Sequence, residues 1–174
     1  MELKDPQNWD DYWKSQKNKS YLKLYDFFAY IYRNYFFRQT LVHFLKKNFS
    51  KSKKILHAGS GSGQVDINHI NFYELTAIDI SDEAVKLYKK NLGEKVNVLH
   101  GSIFKIPIND NYFDGIYNLG VMEHFTISEI KNILDEFYRI LKKDGKIILF
   151  WPPEYGLAVN VLKLIHILLN KIYK

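Results

Sequence analysis

The feature that most constrains this chain is a glycine-rich segment that follows a short apolar run. Residues 55–64 read Ile-Leu-His-Ala-Gly-Ser-Gly-Ser-Gly-Gln, so glycines alternate at positions 59, 61 and 63. Glycine permits positive φ and close backbone approach, which predicts a strand turning sharply into a helix with a ligand against the turn. A second apolar run ends in Asp79, where an acid is placed to hold the hydroxyls of a ribose. Together these features predict a nucleoside-containing cofactor.

The glycine spacing separates two classes of nucleotide-binding turn. A dinucleotide turn needs a third glycine at position 64, which is Gln64 here. Three further motifs follow in order: Ala-Ile-Asp-Ile-Ser at 77–81, Phe-Asp-Gly-Ile-Tyr-Asn at 113–118 with Glu-His-Phe at 123–125, and Leu-Lys-Lys-Asp-Gly-Lys-Ile-Ile-Leu at 141–149. With these motifs the chain resembles the class I S-adenosylmethionine (SAM) dependent methyltransferases, in their small-molecule, type 11-like branch. The resemblance extends from about residue 9 to residue 153.

The alternation of apolar runs and helical patterns predicts an α/β fold. By resemblance this is a Rossmann-like, doubly wound and mainly parallel sheet with strand order 3-2-1-4-5. Strands are predicted at 54–58, 75–79, 96–100, 113–118 and 146–151. Helices are predicted to start at Gln64 and to cover 82–92 and 127–142, the last one stopping at Asp144 and Gly145.

The length of 174 residues predicts a single domain with three parts. Residues 1–53 form a predicted N-terminal helical cap, with an apolar stripe over 21–48, and residues 54–153 form the Rossmann-like core. Residues 154–174 predict a C-terminal amphipathic helix, and the final antiparallel hairpin of the family is not seen in the sequence. We therefore expect either a longer full-length protein or a contact of this helix and the fifth-strand edge with a second chain, as a homo-oligomer or with a partner.

Composition limits the cellular compartment and the classes of binding partner that we expect. There is no cysteine, which excludes disulfides, thiolate metal sites and a cysteine nucleophile, and no metal site is predicted. No signal sequence or transmembrane span is predicted, so we expect a cytoplasmic protein. The net charge is +6, and residues 1–54 hold 12 basic against 5 acidic residues. Such a flank can attract nucleic acid, although a solvated lysine-rich surface is the favoured interpretation.

The resemblance assigns the cofactor contacts. The glycine turn would meet the methionine part of SAM, or of the product S-adenosylhomocysteine. Asp79 would take the ribose hydroxyls, Ile80 would flank the adenine, and the end of the fourth strand would line the methionine end. The expected cofactor-binding residues are Gly59, Ser60, Gly61, Gly63, Asp79, Ile80, Ser102, Ile103, Asn118 and Leu119.

Two positions depart from the family pattern. The family usually has an acid where His57 stands. The histidine therefore removes a carboxylate acceptor near the amino group of SAM. Weaker cofactor binding, compensation by another residue and a pseudoenzyme are the three interpretations. The family also commonly has an acid at Ser102, where a serine can still accept a hydrogen bond. His124 is the candidate catalytic base, because imidazole transfers protons near neutral pH. Tyr12, Trp13 and His124 are the candidate substrate contacts, and a role of His124 in stabilising its loop is the alternative.

The leading functional hypothesis is a SAM-dependent methyltransferase acting on a small biosynthetic molecule. An RNA or other macromolecular methyltransferase that uses the basic N-terminal flank is the first alternative. The second is a SAM-binding pseudoenzyme that serves as an interaction subunit. A NAD-dependent oxidoreductase ranks third, because Gln64 occupies the position of the required glycine.

Overall fold

The computed structural model describes residues 6–17, 38–67 and 71–151. In these ranges the chain forms four α-helices and five strands. The helices are α1 (Pro6–Lys17), α2 (Arg38–Asn48), α3 (Asp82–Leu92) and α4 (Ile127–Ile140). The strands are β1 (Lys54–Ala58), β2 (Glu74–Asp79), β3 (Asn97–His100), β4 (Phe113–Leu119) and β5 (Leu141–Phe150). The predicted C-terminal helix over 154–174 lies outside the described residues.

The strands form one sheet in the order β3-β2-β1-β4-β5, and every neighbouring pair is parallel. The predicted Rossmann-like fold and its strand order are therefore confirmed. Reversal of the order at β1 makes the carboxyl ends of β1 and β4 the switch point, where ligands bind in open α/β sheets. The glycine turn follows β1 directly, so it lies at this switch point.

Each face of the sheet is covered by its own apolar cluster. One cluster joins Leu56 and Ile116 of the sheet to Ile133 and Phe137 of α4. The other joins Ile55 of β1 to Leu41 and Leu45 of α2 and to Tyr88 and Leu92 of α3. Because side chains alternate between the faces of a strand, neighbouring residues of β1 belong to different clusters.

Local sequence explains where the helices begin. The Ser81 side chain accepts a hydrogen bond from the Ala84 N–H and caps α3, whose first turn is acidic. Thr126 and Glu129 form a reciprocal capping box at the start of α4. Both helix starts match the predicted ranges.

Two predicted boundaries differ from the structure. The predicted helix 127–142 ends at Ile140, and β5 starts at Leu141 rather than at residue 146. Leu141 is buried and pairs with Phe113, and a register shift follows before Gly115 pairs with Lys146. Because Leu141 is buried, β5 begins there and includes the polar residues 142–144. The helix predicted from Gln64 is wrong for residues 64–67, which form turns.

Candidate functional site

Three glycines shape the turn after β1. Gly59, Gly61 and Gly63 have φ values of +70°, +53° and +69°, a region that L side chains rarely adopt. A Cβ would lie 2.6 Å from Val121 at Gly59, 2.7 Å from Trp13 at Gly61 and 2.6 Å from Tyr88 at Gly63. Only glycine fits these three positions without displacement of a neighbour, which explains the alternating spacing.

The first three N–H groups of this turn are already hydrogen-bonded. Gly59 and Ser60 donate to the Ile78 carbonyl at 2.9 and 3.0 Å, and Gly61 donates to Oδ2 of Asp79 at 2.8 Å. A pyrophosphate-binding turn instead directs such N–H groups at the ligand. The start of this turn offers close backbone contact rather than free donors, which favours a nucleoside cofactor without phosphate groups.

Asp79 lies at the carboxyl end of β2 beside the turn and is 8% exposed. Its Oδ2 accepts from Gly61, and its Oδ1 accepts from the Ser81 N–H at 2.9 Å. Each carboxylate oxygen has a second lone pair, so both can still accept from a ribose hydroxyl. Burial raises the pKa of Asp79, while the two backbone N–H groups act in the opposite direction. Asp79 therefore both fixes the turn and remains able to bind a diol.

The end of β4 supports the turn from the other side. Asn118 is buried, and its Nδ2 donates to the Ala58 carbonyl at 2.6 Å, which ties the ends of β4 and β1 together. Leu119 is half-buried and packs against the cluster that covers the α2 and α3 face. Both predicted methionine-end residues thus lie at the switch point, with Asn118 engaged in the sheet itself.

The predicted adenine contacts lie along the carboxyl ends of β2 and β3. The carbonyl of Ile80 accepts from Nε2 of His100 at 2.9 Å. The Ser102 hydroxyl oxygen accepts from the Phe104 N–H at 3.2 Å, and Ile103 is buried in the core cluster on the α4 face. The fold brings these residues to the same edge as Asp79, and their contacts to adenine stay a prediction.

Helix α1 is held over this edge. The Ser81 hydroxyl and the Glu83 N–H both donate to Oδ1 of Asp10, so an α1 carboxylate joins the cap of α3. The hydrogen bond from Ser81 lowers the pKa of Asp10. Trp13 packs directly over Gly61. This helix therefore covers the glycine turn, and its placement rests on polar contacts as well as on ring packing.

The aromatic residues of α1 also reach the loop after β4. The Trp9 ring meets the His124 ring edge-on, with centroids 5.2 Å apart. Tyr12 contacts Trp9 and Trp13 edge-on, at 5.7 and 5.3 Å. Of the predicted substrate contacts, Tyr12 and His124 thus share an aromatic group with Trp9, and Trp13 lies on the glycine turn.

Sequence reasoning missed Asp66, which is fully buried beneath the turn. Nδ1 of His57 lies 2.7 Å from its Oδ2, and the Tyr88 and Tyr117 hydroxyls donate to it at 2.6 Å each. Burial, followed by the charge of Asp66, raises the pKa values of both tyrosines, so they remain protonated donors. A lone acid in the apolar run Val65-Asp66-Ile67, three residues after Gly63, is the sequence signal that could have identified it.

Within the described residues, no group of three or more His, Asp or Glu side chains is arranged to hold a metal ion. The helices of this part of the chain are also too short or too polar to cross a membrane.

A Rossmann-like parallel sheet with this turn, and with an acid at the tip of β2, defines the fold class of the class I methyltransferases. The family model described as "Methyltransferase domain" matches residues 56–149, more than half of the chain. The chain therefore belongs to the methyltransferase-domain family, whose cofactor is SAM.

Similar proteins agree with this family. An uncharacterised protein of Methanocaldococcus jannaschii is 31% identical over 84% of this chain and 60% of its own length. An uncharacterised methyltransferase of Schizosaccharomyces pombe is 31% identical over 64% of the chain and 44% of its own length. The chain thus spans less than two thirds of these curated relatives. A solved structure from Methanococcus maripaludis, proposed to be a SAM-dependent methyltransferase, has a TM-score of 0.65 at 21% identity, covering 87% of this chain and 73% of that one.

The residues at the switch point fit SAM. Two buried side-chain atoms near Gly59, Nε2 of His57 and Oγ of Ser60, have no hydrogen-bond partner in the part of the chain that the structure describes. Unpaired buried polar atoms are rare, and they are expected where a polar ligand binds. Together with Asp79, which can still accept from a diol, these atoms suit a cofactor with a ribose and a polar amino-acid end.

Proposed function

We propose that this chain is a catalytic domain that transfers the methyl group of SAM to a small-molecule acceptor. The observation that carries the proposal is the aromatic group formed by Trp9, Tyr12 and His124, which adjoins the glycine turn where the cofactor would bind. An aromatic wall with one imidazole suits a compact, partly apolar acceptor. The family, the fold and the fit of the turn support the cofactor.

Bound SAM supplies a methyl group on a sulfonium, which is an activated leaving group. The residues of the chain must then hold the acceptor in line and exclude water. Asp79 and the turn would hold the nucleoside and methionine parts, while Trp9 and Trp13 would cover the site from α1. His124 would bind the acceptor and, for an acceptor that must lose a proton, would accept that proton.

One cluster of lysines within the described residues lies away from the glycine turn, which supports a small acceptor over a nucleic acid that would bind through this cluster. Lys53 and Lys142 lie 3.4 and 3.0 Å from Asp114, at the amino-terminal edge of the sheet. Their cleft of about 350 Å³ also includes Lys143 and Lys146. That edge is opposite to the glycine turn, since all strands are parallel. A nucleic-acid enzyme needs its phosphate contacts around the reacting base, whereas these lysines lie at the edge of the sheet opposite to the glycine turn.

Calorimetry with S-adenosylhomocysteine, followed by transfer of labelled methyl from SAM, tests the proposal. Cell extract would be separated into small-molecule, RNA and protein fractions, and we expect label in the small-molecule fraction. Trp9→Ala should lower that labelling while retaining S-adenosylhomocysteine binding. Label in RNA would contradict the small acceptor, and cofactor binding without transfer to any fraction would indicate a non-catalytic SAM-binding module.

A further inference from the structure

A buried polar group lies under the glycine turn, on the α2 and α3 side of the sheet. It consists of His57 on β1, Asp66 after the turn, Tyr88 on α3 and Tyr117 on β4, and all four are at most 1% exposed. The His57 and Tyr117 rings are stacked with centroids 4.3 Å apart and planes at 26°. Packing therefore fixes the plane of the imidazole, and Asp66 can fix its proton.

The hydrogen bonds determine the tautomer of His57. Two phenolic hydroxyls donate to Asp66, which is the pattern of an accepting carboxylate. The Nδ1 of His57, 2.7 Å from the same carboxylate, must then carry a proton and donate it. In the neutral ring this leaves Nε2 with a lone pair, so Nε2 is an acceptor.

Among the described residues, that acceptor has no hydrogen-bond partner. Nε2 of His57 is buried, and leaving a buried polar group unsatisfied is energetically unfavourable. A histidine kept only for packing would be expected to pair both nitrogens or to be replaced by an apolar residue. His57 lies two residues before Gly59, at the carboxyl end of the strand where the cofactor would bind. A ligand donor is therefore the partner that this site lacks.

Resting on the proposed function, we propose that Nε2 of His57 accepts a hydrogen bond from the α-ammonium group of the cofactor's amino-acid end. Asp66 is a positioning residue, because it acts by holding the proton on Nδ1. The pair replaces a directly binding carboxylate by an imidazole acceptor with a carboxylate behind it. This accounts for the departure from the family pattern at His57 without loss of an acceptor.

His57→Asp tests the pairing of His57 with Asp66. A carboxylate at position 57 would meet the buried carboxylate of Asp66, and two like charges in contact are unfavourable. The single variant should therefore weaken S-adenosylhomocysteine binding. The double variant His57→Asp/Asp66→Asn leaves a single carboxylate, at position 57, and should restore S-adenosylhomocysteine binding.

Two ligands isolate the amino-acid end. S-adenosylhomocysteine and 5′-methylthioadenosine share adenosine and a thioether, and the second lacks the amino-acid group. We expect wild type to prefer S-adenosylhomocysteine. Asp66→Asn lets the amide N–H₂ donate to Nδ1, which moves the imidazole proton to Nε2. Calorimetry should show S-adenosylhomocysteine weakened about tenfold or more, as expected for a charge-assisted hydrogen bond, with 5′-methylthioadenosine changed less than about twofold. The matched control is His43→Gln, an exposed residue of α2, which should leave both affinities unchanged.

Nitrogen-15 NMR of the His57 ring gives a readout that does not depend on any variant. Wild type should show the neutral Nδ1–H tautomer, and S-adenosylhomocysteine should shift Nε2 while 5′-methylthioadenosine should not. Equal weakening of both ligands by Asp66→Asn, an Nε2–H tautomer in wild type, or a wild type without preference would each overturn the inference. Wild type that binds neither ligand would instead contradict the proposed function.

Discussion

Gly61 and Gly63 provide a direct test of how the turn is packed, because they share a backbone conformation and differ in their neighbours. Their φ values are +53° and +69°. A Cβ at Gly61 would lie 2.7 Å from the Trp13 ring on α1. A Cβ at Gly63 would lie 2.6 Å from Tyr88 and 2.8 Å from Leu92, which are both buried.

Alanine at either position pays for a left-handed backbone, about 1–2 kcal/mol. At Gly63 the new methyl group also overpacks the core between α3 and the turn, which adds about 1–3 kcal/mol. At Gly61 the overlap is with the partly exposed Trp13 ring of α1, so α1 can shift and relieve it. We therefore expect Gly63→Ala to lower the free energy of unfolding by about 2–5 kcal/mol. Gly61→Ala should lower it by its backbone term of about 1–2 kcal/mol and, in addition, by the free energy of the lost Trp13 contact.

Urea unfolding followed by circular dichroism gives the two free energies, and a double-mutant cycle with Trp13→Ala separates the terms. In the Trp13→Ala background Gly61→Ala should cost only its backbone term, whereas Gly63→Ala should be additive with Trp13→Ala within about 0.5 kcal/mol. Equal costs for the two alanine variants, together with no coupling to Trp13, would show that α1 does not pack on the turn.

Further predictions concern the acids and the aromatic group. Asp79→Ala should weaken S-adenosylhomocysteine binding by about 1.5–3 kcal/mol in calorimetry, and unchanged affinity would remove the ribose assignment. Burial raises the pKa of Asp79 in the folded protein above its pKa in the unfolded chain. The protonated Asp79 therefore contributes to stability fully below the unfolded-chain pKa, and this contribution is lost as the pH rises through the folded-state pKa. Asp79→Asn should therefore lower the melting temperature less at neutral pH than at acid pH, and the reverse ranking would contradict the raised pKa. Asp10→Ala removes the acceptor for Ser81 and should raise the rate of proteolytic cleavage in α1 without altering far-UV circular dichroism of the core; unchanged cleavage would show that this contact does not hold the helix.

The strand–turn–strand unit was predictable because its signals are local. Alternating glycines require a backbone that only glycine adopts readily, and the apolar runs before Gly59 and Asp79 have the length of buried strands. The caps at Ser81 and Thr126 are likewise set by a few neighbouring residues. Fold class and strand order followed from the resemblance that these motifs carry, and the sheet confirms both.

Boundaries set by pairing with distant residues were not predictable. The polar residues 142–144 suggest the end of a helix, yet pairing of Leu141 with Phe113 starts the strand before them. This pairing joins residues 28 positions apart in the chain, so local propensity carries no information on it.

The sequence by itself determined that His57 occupies the place of an expected acid, and only the tertiary structure decided what accompanies it. Asp66, Tyr88 and Tyr117 come from three separate segments and meet at His57 because β1, β4 and α3 pack on one side of the turn. In the same way, the sequence identified aromatic residues in α1, and folding brought Trp9 to His124, more than a hundred residues away. Side chains that meet through packing leave no mark on local periodicity, because the free energy that joins them arises only when the layers of the fold are assembled.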